Sequence, residues 1–372
     1  MSATSLINNQ REVKTRFLTA NLISARSEWT QIIDAFSELK LHDPRIHSPT
    51  FFLASVSPES WDPTFVVVRD EKRKTIGLLY AKERKILGVK SGLFFADATL
   101  GSLIASEHCN EQGVLEAALS ALIRGGRVRG LRLFTPPAGY EVEVLGLLAK
   151  TNNFEFQTAP IERHATLQLA PTYEEFLERL SYKTRRNFRY FRKRSKEAGH
   201  VYVENISLEE NISSIRALEA ECSQGVSEEA LQRSIEILRA APKPLLLALK
   251  SDDGELLSFV GGWHEGDRTV IIIQLNSDKR YSKYSLSLVM RTYLIESLIN
   301  DGCKELFWLG GVGEPLRGYC VSVPTSVVCL DSPGVFWRMG RRFISAIRHK
   351  LPDRVRVQAE LAMPHELSDP RS

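Results

Sequence analysis

The sequence predicts an α/β protein of the α+β kind, built from two domains whose mixed sheets are flanked by helices. Its 372 residues exceed what one hydrophobic core ordinarily fills, so two domains are expected. Apolar residues make up 43% of the chain and charged residues 25%, the balance of an ordinary globular protein. Short apolar strands and longer helices alternate along the chain, and their order occurs twice.

The first copy of this order lies between residues 64 and 134. TFVVV (64–68) and TIGLLYA (75–81) are apolar runs separated by the polar turn DEKR, which predicts a β-hairpin. Residues 113–124 are rich in alanine and leucine at helical spacing, which predicts a helix. The alternating run RGLRLF (129–134) then predicts a further strand.

The second copy begins about 175–180 residues later and has the same elements in the same order. Ser251-Asp252-Asp253-Gly254 is a strong turn signal between two apolar runs. Few identities relate the two copies, so element order and length carry the match, which we interpret as a duplication. Strands are predicted at 245–249, 255–263, 269–276 and 304–311, and an amphipathic helix at 285–300.

The expected domain boundaries follow from this repeat. Residues 1–14 are polar and predicted to be disordered, residues 15–158 form the N-terminal domain and residues 159–332 the C-terminal domain. The tail, 333–372, contains a predicted basic amphipathic helix at 335–351. Such a helix either packs on its own domain or lies on an anionic membrane surface.

Composition excludes several classes of protein. The net charge of +4 is too small to indicate nucleic-acid binding, and DNA is not expected as a partner. The five cysteines form no CxxC pair, so neither a disulfide framework nor a metal site is expected. The sequence has neither a signal peptide nor a membrane-span pattern, which favours a cytoplasmic protein.

The run YKTRRNFRYFRKRSKEAGH (182–200) contains eight basic residues before its first acid. Like charges one helical turn apart repel by about 0.2–0.5 kcal/mol per pair, so an anion that offsets this cost is one interpretation. The candidates are a phosphate-bearing cofactor, an anionic acceptor, RNA or a lipid headgroup, bound by Arg185 and Arg189 among others. The other interpretation is a solvated helix face.

The segment 271–311 leads from a strand through a polar turn into a helix and returns to a strand. A helix beginning at that turn would present free backbone N–H groups, which together with the helix dipole bind diphosphates. Ser282, Ser285 and Ser287 are candidate N-caps. The glycine-rich loops of P-loop and dinucleotide-binding proteins are missing from the sequence.

These stretches together resemble the GNAT acyltransferase fold, with a degenerate first repeat and so two tandem GNAT-like domains. The closer resemblance is to the CelD-type (cellulose-biosynthesis) acetyltransferases, relatives of the Fem peptidoglycan aminoacyltransferases. It covers roughly residues 15–330. The segments that carry it are the basic helix 182–199, FVGGW (259–263), residues 281–311 and, in the first half, residues 65–81, FFADA (94–98) and LRLF (131–134).

The resemblance implies direct transfer of an acyl group from acetyl-CoA or another acyl-CoA, with no metal. Two parallel strands, 269–276 and 304–309, would diverge around the donor's pantetheine arm. The implied donor-binding residues are Gln274, Leu275, Asn276, Lys283, Ser285 and Leu286. The implied catalytic candidates are Tyr281, Tyr284, His264 and Arg317, with Asp278 nearby.

The sequence departs from the family at two points. Ser285-Leu286-Ser287 stands where the family often has Ser-Pro-Gly, and Arg317 stands about where it has a lysine. Arginine keeps the positive charge but lacks lysine's tunable pKa. Three functions therefore stay open. They are an N- or O-acyltransferase acting on a small-molecule or glycan-precursor acceptor in polysaccharide or envelope biosynthesis, a Fem-like transferase using aminoacyl-tRNA, and a non-catalytic scaffold.

Overall fold

The computed structural model describes residues 18–23, 28–39, 48–86, 88–107, 109–125, 127–137, 139–222 and 226–333. The predicted disordered N-terminus (1–14) and the predicted helix 335–351 lie outside these residues. Contacts divide the chain into two compact units. Of the described residues, those within 18–52, 58–161 and 324–333 belong to unit 1, and those within 53–57 and 162–323 belong to unit 2.

The first part of the chain folds as strands and helices, and the two longest helices, α3 and α4, pack against the strands. The elements in order are β1 (Thr19–Ile23), α1 (Trp29–Glu38), α2 (Pro49–Ala54), β2 (Trp61–Arg69), β3 (Thr75–Ile86), β4 (Val89–Asp97), β5 (Leu103–Ala105), α3 (Glu111–Gly125), β6 (Gly130–Thr135) and α4 (Tyr140–Thr151).

The second part adds more helices and two strands, β7 and β13, that contribute residues to both units. The elements in order are β7 (Glu155–Gln168), α5 (Tyr173–Arg179), α6 (Tyr182–Glu197), β8 (Val201–Glu204), α7 (Leu208–Glu221), α8 (Glu228–Ala240), β9 (Pro244–Lys250), β10 (Leu256–Glu265), β11 (Arg268–Asn276), α9 (Asp278–Tyr281), α10 (Leu286–Asn300), β12 (Glu305–Leu309) and β13 (Val321–Asp331).

In unit 1 the strand order is β1-β2-β3-β4-β6-β13, with β5 paired to β3. All pairs are antiparallel except β4 with β6, which is parallel because the crossover helix α3 joins them. Alternate apolar residues of the strands, including Val66, Leu79 and Leu131, face α3 and α4 and form the core. Burial of this apolar face drives the unit's folding.

In unit 2 the strand order is β7-β12-β11-β10-β9-β8, again with one parallel pair, β11 with β12, joined by α10. Helices cover both faces of this sheet. Residues of α5, α6 and α10 share a core with Leu247 and Ile271, whereas residues of α7 and α8 share another with Phe259 and Leu275. The α10 helix is buried on most of its circumference, so its predicted amphipathic character is wrong.

Both units contain two antiparallel pairings, a crossover helix and a parallel strand. In unit 1 this adds β4 to the predicted order of hairpin, helix and strand. The α/β class with mixed sheets flanked by helices is therefore confirmed. Predicted strand 304–311 is too long, because β12 ends at Leu309 and both Gly310 and Gly311 have positive φ, 86° and 88°. Glycine adopts such angles without the penalty that a Cβ would bring.

The units differ from the expected domain boundaries in three places: residues 53–57 lie in unit 2, the change to unit 2 falls after residue 161 and not after 158, and part of β13 lies in unit 1. Residues 324–331 of β13 belong to unit 1, where they pair with β6 from Ser326↔Thr135 to Asp331↔Gly130. The expected boundary assigned them to the C-terminal domain. Within this pairing the buried guanidinium of Arg132 donates a hydrogen bond of 2.9 Å to the carboxylate of Asp331, so each charge neutralises the other away from water.

Candidate functional site

The parallel strands β11 and β12 separate part-way along their length. They pair over four residues, from Arg268↔Glu305 to Ile271↔Trp308. The β11 strand continues to Asn276 beside β10, while β12 ends at Leu309. Among the described residues, the edge of β11 from Ile272 to Asn276 thus faces no strand on its β12 side, so the backbone groups that point to that side are available to an extended ligand.

A β-bulge lies where the strands separate. Gly262 pairs with Ile271 and Gly261 with Ile273, which leaves Ile272 as the extra residue in β11. A Cβ on Gly262 would lie 2.0 Å from the carbonyl oxygen of Val270, so only glycine fits. Gly262 therefore serves close backbone approach at the bulge, whereas a Cβ on Gly261 would meet the side chain of Leu238 at 2.6 Å.

The corresponding strands of unit 1 do not separate. The β4 and β6 strands pair from Leu93↔Gly130 to Asp97↔Phe134, and Asp97 is the last residue of β4. Pairing therefore reaches the carboxyl end of β4, and no gap opens there. The first repeat thus has the same fold but lacks the gap between parallel strands that would accommodate a ligand, and in this sense it is degenerate.

The N-terminus of α10 follows the free edge of β11. Its N-cap is Ser285, one of the three predicted caps, with a left-handed backbone of φ 49° and ψ 56°. The Ser285 hydroxyl makes no capping hydrogen bond, and its carbonyl accepts from the N–H groups of Leu288 and Val289. The N–H groups of Leu286 and Ser287 have no acceptor among the described residues, so this helix end attracts an anion.

Gln274 and Arg291 join the free edge to its surroundings. The Gln274 side-chain amide donates to the carbonyl of Ser287 at 3.1 Å and accepts from Nε of Arg291 at 3.1 Å. Nη1 of Arg291 donates to the carbonyls of Gly313 and Glu314, both at 3.1 Å. Burial lowers the pKa of Arg291. The side chains of Gln274 and Arg291 thus link β11, α10 and the loop after β12. No pattern in the sequence indicated the role of Arg291.

The residues implied as donor-binding lie on both sides of the segment that joins β11 to α10. Leu275 and Asn276 end the free edge, and the Asn276 carboxamide oxygen accepts from the Ser258 hydroxyl at 2.7 Å. Lys283 is exposed, with Nζ 4.9 Å from the centre of the Tyr284 ring. Leu286 is buried, so it would offer a ligand its backbone and not its side chain.

The two tyrosines implied as catalytic pack against a buried histidine that the sequence analysis missed. The His200 ring lies 4.8 Å from the Tyr284 ring and 6.0 Å from the Tyr281 ring, with Nδ1 3.0 Å from the Ser195 hydroxyl. Burial, and to a lesser extent Lys283, lowers the pKa of His200, while Asp252 opposes this. The Tyr281 hydroxyl donates to Glu255 at 3.0 Å.

His264 lies at the opposite end of β11 from the gap. It pairs with Thr269 near the start of the strand, and its Nδ1 is 3.0 Å from the Thr269 hydroxyl. Burial lowers its pKa. Residues 269 and 273 of an extended strand are about 13 Å apart, so the structure does not bring His264 to the gap. Asp278 is the first residue of α9.

Arg317 is exposed in a short helical turn of the loop that follows β12. Two residues further, Tyr319 accepts the backbone N–H of Ser181 through its hydroxyl oxygen at 2.8 Å. Hydrogen bonding with Ser181 and Thr184 lowers the pKa of Tyr319, because these bonds stabilise the phenolate. This polarised tyrosine was also missed by the sequence analysis, since its partners lie far away in the chain.

The basic run forms α6, capped by Ser181, whose hydroxyl oxygen accepts from the N–H of Thr184 at 3.2 Å. Arg192 faces inwards, where it pairs with Glu296 and lies 4.2 Å from the Tyr293 ring centre. Arg189 pairs with Glu174 at 3.1 Å on the exposed face, and Arg185 is half-buried. Some of the charge is therefore balanced within the protein, and much of it faces solvent.

The described part of the chain offers neither a metal site nor a membrane-spanning helix. No group of three or more His, Cys, Asp or Glu residues there is arranged to hold a metal ion. No helix there has both the length and the apolar character that crossing a bilayer requires.

Comparison with known proteins agrees with this geometry. Residues 182–315, from the start of α6 to the loop after β12, match the family model described as "Acetyltransferase (GNAT) domain". The gap, its bulge and the N-terminus of α10 all lie within this range. Unit 2 thus contains a segment that is similar to the GNAT acetyltransferase domain.

Solved structures give the same fold over most of the chain. The crystal structure of FemX is 10% identical with a TM-score of 0.54, and the match covers 82% of this chain and 96% of that one. A conserved protein of unknown function from Bacteroides thetaiotaomicron is 10% identical with a TM-score of 0.51, covering 84% of this chain and 100% of that one. At such identities the likeness concerns the fold alone. Comparison with curated proteins finds no match.

Proposed function

We propose that the protein is an acyltransferase that moves an acyl group from an acyl-CoA thioester to an amine or hydroxyl. The observation that carries this proposal is the separation of β11 and β12 after Ile271↔Trp308, beside the open N-terminus of α10. The free edge of β11 can form hydrogen bonds with the amides of a pantetheine arm, and the N–H groups at the helix end can bind a diphosphate. The fixed geometry of both would orient the thioester for attack.

The acceptor in this proposal is a saccharide or another cell-envelope precursor, as the CelD-type resemblance implies. Its amine or hydroxyl attacks the thioester carbonyl and forms the new C–N or C–O bond, the C–S bond breaks, and the proton that the acceptor loses is balanced by the one that the leaving thiolate takes. In this proposal Tyr284, which precedes the N-cap of α10, and Tyr319, in the loop after β12, are the candidates for proton transfer. Tyr281 is less suited, because its hydroxyl donates to Glu255.

A thermal-shift titration tests the donor. Acetyl-CoA, longer acyl-CoAs and free CoA are added at rising concentration, and the unfolding midpoint is recorded. A ligand of the native state at about 100 times its Kd stabilises by about 2.7 kcal/mol, so the midpoint must rise for at least one thioester. If every thioester leaves the midpoint unchanged at saturating concentration, the proposal is wrong.

The exposed basic face of α6 favours a second donor, an aminoacyl-tRNA. Lys183, Arg186 and Lys196 are exposed on this helix, and its charges suit a phosphate backbone. Filter binding of aminoacyl-tRNA at increasing salt tests this alternative. It requires affinity that falls steeply with salt and that Arg185→Gln with Arg189→Gln weakens. The alternative is rejected if the protein does not bind aminoacyl-tRNA, or if its affinity changes neither with salt nor in the double variant.

A further inference from the structure

The tip of the β3–β4 hairpin in unit 1 exposes two apolar side chains together. Ile86 ends β3, Val89 begins β4, and the two are register partners. Ile86 is 55% exposed and Val89 69% exposed. Side chains of paired residues lie on the same face of a hairpin, so these two form one apolar point in water. Hydration of this point costs free energy that an apolar environment would recover.

Cationic side chains surround this tip. Lys85 and Lys90 face each other on the next pair of the ladder, and Asp62 contacts both, at 3.7 Å and 2.5 Å. Arg127 and Arg129, both exposed, precede β6 and line with Lys90 a cavity of about 320 Å³ beside the hairpin. Two carboxylates, Asp62 and the buried Glu83 that lines the same cavity, lie among these four cations, so the surface around the apolar tip stays positive.

A tryptophan lies behind the tip. Trp61, the first residue of β2, is half-buried, with Nζ of Lys82 4.7 Å and the Arg84 guanidinium 4.8 Å from its ring. Its register partner is Arg84, so it lies on the ladder that leads to Ile86. Apolar point, cationic ring and tryptophan therefore follow one another along the hairpin. Apolar side chains enter the acyl region of a bilayer, cations are attracted to anionic headgroups, and indole rings favour the interface between them.

We propose that this hairpin tip binds an anionic phospholipid surface, with Ile86 and Val89 inserted at the headgroup boundary. Lys90, Arg127 and Arg129 would contact lipid phosphates, each cation near the surface adding attraction that salt weakens. A nucleic acid would match the cations but leave the two apolar side chains in water, so a lipid surface fits better. The inference is independent of the acyltransferase proposal, since unit 1 alone carries it.

Co-sedimentation with vesicles tests the inference on the full chain. Vesicles of phosphatidylcholine with phosphatidylglycerol are compared with phosphatidylcholine alone. The wild type is expected to bind the anionic vesicles and to release as salt rises. The double variant Ile86→Glu with Val89→Glu should bind the anionic vesicles at least roughly tenfold more weakly than the wild type, because it removes the inserted groups and adds repulsion. Leu147→Glu, on α4 of the same unit and 56% exposed, is the matched control and should bind as wild type.

A Val89→Trp variant gives a readout that does not depend on loss of binding. Its fluorescence should shift to the blue when anionic vesicles are added, since the indole leaves water. Three results overturn the inference. They are a wild type that ignores anionic vesicles, a double variant that binds as tightly as wild type, and stabilisation by free glycerol phosphate without any vesicle binding. Binding through the basic segment 335–351 gives the second of these results.

Discussion

The hydroxyl oxygen of Tyr319 accepts a hydrogen bond from the backbone N–H of Ser181, the N-cap of α6, and this bond polarises the hydroxyl. Tyr319→Phe removes the acceptor of the Ser181 N–H bond, which is partly replaced by water at this exposed position. We expect a loss of about 0.5–1 kcal/mol in the free energy of unfolding, measured by urea denaturation. Tyr182→Phe, whose side chain is 74% exposed, is the control and should change nothing. Equal stability of both variants would contradict the assigned hydrogen bond.

His200 predicts a pH dependence of stability. Burial holds its pKa below the value of 6.5 that it has in the unfolded chain, so the folded state binds fewer protons. Its contribution is fully present above pH 6.5 and is lost as the pH falls through the lowered pKa of the folded state. The free energy of unfolding of the wild type should therefore drop on acidification from pH 7.

The variant His200→Gln separates this contribution from that of His264, whose pKa burial also lowers. Glutamine keeps a polar group for the Ser195 hydroxyl but does not titrate. The wild type should lose more stability than the variant between pH 7 and pH 5, as measured by urea denaturation at each pH. Parallel pH curves for the two proteins would show that His200 does not contribute.

At the scale of elements, the bulge in β11 determines where the strands separate. Gly262→Ala places a methyl group against the Val270 carbonyl, a backbone group that cannot move aside as a flexible side chain could. We expect a loss of about 1–3 kcal/mol in the free energy of unfolding. Gly146→Ala on α4 would meet only Phe156, at 4.0 Å, and should stabilise its helix. A Gly262→Ala protein as stable as wild type would place the bulge elsewhere.

Elements whose signal is local were predictable from the sequence. The apolar runs of β2, β3, β9, β10 and β11, the turn at 251–254 and the helix 285–300 depend on residues adjacent in the chain. Pairing that stops at Ile271 depends on β12, which is more than thirty residues away. The contacts of His200 with Tyr284 and of Tyr319 with Ser181 likewise join distant residues, so spacing carried no sign of them.

At the scale of the whole molecule, the two repeats share a fold but not a site. Pairing of β4 with β6 reaches the end of β4, whereas β11 extends beyond its last pair with β12. If the gap is where the donor binds, one chain takes one donor and unit 2 holds it. The duplication would then have kept the first repeat for its fold while the second kept the ligand site.

Isothermal titration of acetyl-CoA into Ser285→Asp tests the central claim most directly. Aspartate tolerates the left-handed backbone and caps a helix as well as serine, so the protein stays folded while its carboxylate repels a diphosphate. Ser227→Asp makes the same change at the N-cap of α8. The account predicts one donor per wild-type chain, unchanged affinity in Ser227→Asp and binding weaker by roughly tenfold or more in Ser285→Asp. Equal affinity in all three proteins would contradict it.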